Sequence, residues 1–212
     1  MDGNEKLTDS LHRQELKFRI YRSAMPMFKQ KGIKAVRMDD IASHLSISKR
    51  TLYELYANKE DLLLECVKQD SDNFMKRLQD YAMGAENELD IVVTFFRMKF
   101  ADLDSLNPFF LSELNKYNKV MEFFRMRHEE QQKSSNDFIK KCIENGFFVP
   151  NIKYSAVYDF SEEIMSSGII PHLLDNYSLR DIFYNYFIIM LRGLCTEKGL
   201  SLLDLYLKKS PL

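Results

Sequence analysis

The sequence predicts an all-α protein, with a three-helix N-terminal head over residues 1–58 and a larger helical body over residues 59–212. Strand-favouring Val and Thr are sparse, whereas Leu, Met, Lys and Glu are plentiful. Only five prolines interrupt the chain, and apolar residues recur at helical spacing through most of it. With 212 residues, 45% of them hydrophobic, the chain can build a packed core.

Leu16, Ile20, Ala24, Met27 and Phe28 mark an amphipathic helix over residues 11–31, and Gly32 suits the left-handed residue that ends it. Pro26 falls inside this helix. It removes a backbone hydrogen bond to Arg22, at a cost of about 3 kcal/mol unless a kink absorbs it. Met38, Ile41, Ala42 and Leu45 repeat the helical spacing for barely two turns before the SIS of residues 46–48 breaks it. Ser48 is then placed to N-cap a second short helix carrying Leu52 and Leu55. Asn58 caps a longer helix with Asp61 in its first turn and an apolar face of Leu62, Leu63, Val67, Phe74 and Leu78.

Further helices are predicted at residues 86–103, 108–116, 118–145, 152–169 and 178–195. Their limits are set by Asn107 before Pro108, Asn145 with Gly146, Pro150, Pro171, and Ser178 with Asp181. Between Arg127 and Asp137 the run RHEEQQKSSND holds no large apolar residue, so that part of its helix is expected to face solvent.

Several classes are disfavoured. The odd trio Cys66, Cys142 and Cys195 has neither disulfide-framework nor zinc-ribbon spacing, and reads as reduced thiols near the core. His12, His44, His128 and His172 are scattered, with no carboxylate spacing, Gly-rich phosphate loop or nucleophile elbow. No catalytic residues, metal site or cofactor are expected. No stretch approaches the roughly 18–20 apolar residues of a bilayer span, and the N-terminus lacks an export signal, so the expected location is cytoplasmic with no membrane partner. Charge is uneven: residues 1–60 hold twelve Lys or Arg against eight Asp or Glu, giving +4, so in a chain of net −1 the remainder carries −5. A mildly basic head on an acidic body is compatible with a polyanion partner.

The stretch SISKRTLYELYANKEDLL, residues 46–63, narrows that partner. A short helix, a tight turn and a second short helix form the geometry that offers one helix to the DNA major groove while the other braces it. Ile41, Ala42, Leu45, Ile47 and Leu52 lie where the helices pack, leaving Lys49, Arg50, Thr51 and Glu54 outside. Lysine or arginine at such a position can reach guanine acceptors or phosphates, threonine a thymine methyl, and a tyrosine hydroxyl a phosphate.

RIYRSAMPMFKQKGIKAV at 19–36 and MDDIASHLSISKRTLYELYANKEDLL at 38–63 resemble the head of the TetR family of bacterial transcription regulators. The resemblance makes Lys49, Arg50, Thr51 and Tyr53 the groove-facing set, with Tyr53 and Lys59 as phosphate contacts. The sequence departs from the family pattern in three places, one of them Asp39 near the start of the second helix, where a carboxylate would repel phosphate or favour the helix dipole. Ser46 stands where glycine is usual in the turn, and Arg37 with Met38 replaces threonines at the start of the second helix. A left-handed Ser46 would cost about 1 kcal/mol, and Arg37 offers a substitute phosphate contact.

For the body, the resemblance implies a homodimer on a palindromic double-stranded DNA operator, a small-molecule effector of unknown identity, and repression as the commoner mode. Two apolar stripes would meet across the dimer: Val157, Phe160, Ile164 and Gly168, then Ile182, Tyr186, Ile189, Met190 and Gly193. Phe95, Met98, Phe109, Phe110, Tyr117, Phe124, His128 and Tyr158 are candidates to line the effector pocket. Two alternatives stay open: a helical protein-interaction module that docks partners on these stripes, and a DNA-binding regulator that takes no ligand.

Overall fold

In the computed structural model, which describes residues 2–166 and 169–209, α1 runs from Asp2 to Lys31. It begins nine residues earlier than the apolar spacing predicts and passes through Pro26 without ending. Pro26 lies on the exposed face, so water can satisfy the carbonyl its ring leaves free. Ile20, Ala24 and Phe28 are fully buried beneath it.

α2 spans Met38–His44 and α3 spans Lys49–Leu55. The Ser48 hydroxyl accepts from the Thr51 N–H at 3.0 Å, the N-cap expected from sequence. α2 has no hydroxyl cap. Its first turn is closed by the Asp40 carboxylate, which accepts from the Arg37 N–H at 2.8 Å. Between these helices Ser46 has φ 55, the left-handed conformation that penalises a residue with a Cβ. Ser46→Gly is therefore expected to raise the thermal midpoint by about 2 °C, matching relief of up to about 1 kcal/mol. A midpoint that stays level or falls in a calorimetric scan would refute this.

α4 spans Lys59–Ala82, capped by Asn58 Oδ1 on the Asp61 N–H at 2.9 Å. Leu62, Leu63, Cys66 and Val67 in its first half join the apolar cluster of α1–α3. α4 thus runs from the head's core into the body. There follow α5 (Glu88–Phe100), a 3-10 turn (Leu103–Ser105), α6 (Phe110–Leu114) and α7 (Asn118–Glu144). The polar run 127–137 lies within an unbroken α7, mostly exposed.

Within the predicted helix 152–169 lies α8 (Tyr154–Ser166), and α9 spans Ile169–Leu173. α10 spans Leu179–Leu194, with Ser178 and Asp181 capping reciprocally. α11, Glu197–Lys209, was not anticipated from sequence; it packs Leu203 and Tyr206 into the body core. Two clusters organise the whole: one joins α1–α4 to α6 and the start of α7, the other joins α5, α10 and α11 to the end of α7. All three thiols are buried, and burial pushes Cys66 and Cys142 up to about 12 and Cys195 to about 11, so they stay protonated and inert. Among the described residues no helix is long and apolar enough to cross a membrane.

Candidate nucleic-acid interface and effector-binding body

The orientation of α3 follows from its buried side. Leu52 is fully buried and Tyr56 nearly so, which turns Lys49, Arg50, Tyr53 and Glu54 outward. Lys49 Nζ donates to the Asp39 carboxylate on α2, and Arg50 Nε donates to Glu54 at 2.8 Å. Each carboxylate raises its partner's pKa, chiefly through the hydrogen bond. Both cations stay charged, and both pairs lie in solvent, where phosphates can compete for them. Tyr53 is 48% exposed and free to present its hydroxyl. Thr51 is half-buried, and its hydroxyl shares a 2.7 Å hydrogen bond with Ser48, which leaves its methyl as the group to offer a base. Arg37 is exposed beside the start of α2.

Lys59 is placed differently. Its ammonium donates to the carbonyls of Ile33 at 2.9 Å and Val36 at 3.1 Å, half-buried, and burial pulls its pKa down. It braces the turn between α1 and α2 against the start of α4, a bond that crosses more than twenty residues of sequence. One ammonium proton remains to be offered to a phosphate.

On the body, Val157, Phe160, Tyr186, Ile189 and Met190 of the expected dimer stripes converge with Ala156 on one groove of about 570 Å³ between α8 and α10. Phe160 is 65% and Ile189 70% exposed. The Tyr186 hydroxyl ties α10 to α8 by donating to Ser161 Oγ at 2.8 Å. Ile182 packs instead against the body core, Ile164 is half-buried, and Gly193 is exposed with open space at its Cβ position. Gly168 lies outside the described residues.

The pocket candidates do not share one wall. Phe110, Tyr117 and Phe124 pack with the cluster that includes the head, whereas Phe95 packs with the body core. His128 and Tyr158 stack on each other, centroids 4.3 Å apart, and Tyr158 donates to Glu162 at 2.7 Å. Met98 is half-buried on α5 and Phe109 is exposed. Phe74, expected on the apolar face of α4, meets Phe95 edge to face at 5.4 Å. Sequence spacing passed over Lys99, whose ammonium sits 4.1 Å from the Phe74 centroid. Lys99 continues the 92–95–99 face of α5, a signal present in the sequence but masked by its charge.

Residues 20–66 match the family profile described as bacterial regulatory proteins, tetR family. The HTH-type transcriptional repressor KstR2 of Mycobacterium tuberculosis (strain ATCC 25618 / H37Rv) is 24% identical over 142 residues, covering 65% of this chain and 71% of that protein. The solved structure of the ketosteroid transcriptional regulator KstR2 of Mycobacterium tuberculosis superposes with a TM-score of 0.54 at 21% identity, over 85% of this chain and 95% of that one. A TetR family transcriptional regulator from Agrobacterium tumefaciens gives 0.67 at 14% identity, over 87% and 100%. At these identities the solved structures establish the shared fold.

Proposed function

Because the chain belongs to the TetR family of bacterial regulatory proteins, we propose that this DNA-binding regulator acts as a homodimeric repressor released from a palindromic operator by a small molecule. The observation that carries the DNA reading is α3 itself. Leu52 pins one side of the helix in the core while Lys49, Arg50 and Tyr53 stand clear on the other. Arg37 adds a cation at the neighbouring helix start, and Lys59 stiffens the platform from below.

The open groove between α8 and α10 supports the dimer. An apolar surface with Phe160 and Ile189 mostly in solvent is costly for a lone protomer and natural for a two-fold interface, where one patch covers its own copy. Two heads are needed because a single short helix reads too few bases for tight selective binding. Repression is favoured by the relative's name, HTH-type transcriptional repressor. The effector reading rests on the family, since the aromatic candidates divide between two packed clusters.

Selection of random duplexes by the purified protein at moderate salt, followed by sequencing, tests the reading. An enriched palindrome with half-sites about one helical turn apart is expected. Folded protein that enriches nothing would favour a helical module that docks other proteins. On the selected operator, Arg50→Ala is expected to weaken binding about tenfold and relax preference at one position of each half-site, whereas Tyr53→Phe weakens all sequences alike. Unchanged affinity in both variants would remove α3 as the reading helix.

A further inference from the structure

The positive charge of the head does not lie on its reading surface. Residues 11–36 hold seven Lys or Arg against one Glu. Residues 37–58, which carry α2 and α3, hold three of each sign: Arg37, Lys49 and Arg50 against Asp39, Asp40 and Glu54. A surface that has to approach a polyanion is thus electrically neutral. Asp40 has a local task, closing the first turn of α2 on the Arg37 N–H. The other two carboxylates are spent on the reading cations. Asp39 accepts from Lys49 Nζ across the turn between α2 and α3, and Glu54 accepts from Arg50 Nε along α3.

Stability does not account for these pairs. The Lys49 and Arg50 side chains are 64% and 89% exposed and their carboxylates 48% and 60%, and ion pairs in solvent contribute little to folding. On α3 the order is also the reverse of the one that supports a helix, with the cations in the first turn and Glu54 in the last. What the carboxylates change is the set of groups the cations can bind. A phosphate must displace the resident carboxylate and bear its repulsion. A guanine edge carries no net charge and meets neither obstacle. Glu54 occupies only the Nε of Arg50, so the two terminal amino groups remain in the forked geometry that matches guanine O6 and N7. Asp39 takes one Lys49 proton and leaves the others to point away from α2.

We propose that Asp39 and Glu54 are specificity-determining residues, which hold Lys49 and Arg50 away from phosphates and aim them at base edges. This rests on the reading of α3 as the helix that enters the groove. It adds that selectivity there is obtained by suppressing sequence-independent attraction, with two carboxylates that need touch no base themselves.

The test compares full-length protein with the double variant Asp39→Asn and Glu54→Gln, each checked for fold by circular dichroism. Fluorescence anisotropy reads binding to the selected operator and to a shuffled duplex of the same composition across a salt series. The parent is expected to prefer its operator by at least ~1000-fold. In the double variant shuffled DNA should bind about tenfold tighter while the operator gains less than about threefold, and the salt slope on shuffled DNA should steepen by about one for each cation released. Glu54→Gln alone, away from the start of α2, should show the same change for one cation. Glu122→Gln with Glu129→Gln is the control: it releases Arg125 on α7 and adds the same charge to the body, and the preference should hold. Variants that keep the parent's preference, or a control that erodes it equally, overturn the proposal. In the former case Arg50→Ala separates the two claims: lost operator affinity keeps α3 as the reading helix, and unchanged affinity removes that reading as well.

Discussion

Replacing Phe160 and Ile189 together with glutamate is expected to give a folded monomer whose operator affinity is at least ~100-fold lower. Both side chains are mostly exposed in the protomer, 65% and 70%, so the substitutions remove little from its own core. In a dimer the same positions would lie within the groove shared with Val157, Tyr186 and Met190. A stable interface needs about 800 Å² per partner, and carboxylates desolvated at its centre without partners would cost several kcal/mol. Once the protomers part, the second half-site must be found independently, and the avidity of roughly 10²–10⁴ that tethering provides is lost. Sedimentation velocity would read the mass, circular dichroism the fold, and filter retention the affinity. A double variant that still sediments as a dimer would place the interface elsewhere.

The head was the most legible part of the chain because its determinants are local. Helical spacing located α2 and α3, and the hydroxyl of Ser48 and the amide of Asn58 act within three residues of themselves. Even the strain at Ser46 was visible, since a turn that needs a left-handed residue had been given serine. What stayed hidden depends on distant partners. Nothing around Lys59 announces that its ammonium will be held by carbonyls of residues 33 and 36. The pocket candidates were chosen as aromatic residues on the middle helices, but which cluster each joins depends on how those helices cross. Five residues of the two apolar stripes meet at the groove between α8 and α10, and an apolar face wider than one core contact requires shows in the helical period itself. The existence of α11 was missed because weak local punctuation there is overridden by packing of Leu203 and Tyr206 into the core.

Gly199→Ala is expected to lower the thermal midpoint by about 5–10 °C and to weaken the dimer with it. A Cβ at this position in α11 would stand 2.2 Å from the Phe147 carbonyl oxygen and 3.2 Å from the Cys195 Cβ. The obstacle is backbone, so no rotamer change relieves it. That carbonyl accepts from the Thr196 N–H at 2.9 Å, and the Thr196 hydroxyl donates to Gly146 at 2.7 Å. Phe148 pairs with Cys195, and the Val149 N–H donates to the Leu194 carbonyl at 3.0 Å. Residues 146–149 are thus stitched to the end of α10 and the start of α11, and forcing α11 outward strains every one of these bonds. Overpacking of this kind costs about 2–3 kcal/mol, and each kcal/mol moves the midpoint of a chain this long by about 2–4 °C. Because α10 carries Tyr186, Ile189 and Met190, loosening its end should also misalign the groove. Gly193→Ala is the control, on the same stretch but with nothing within 4 Å of the new methyl; its midpoint should hold or rise, as helix propensity favours alanine. If Gly199→Ala melts within a degree of its parent, the 146–149 segment yields freely and the coupling between α11 and the dimer face fails.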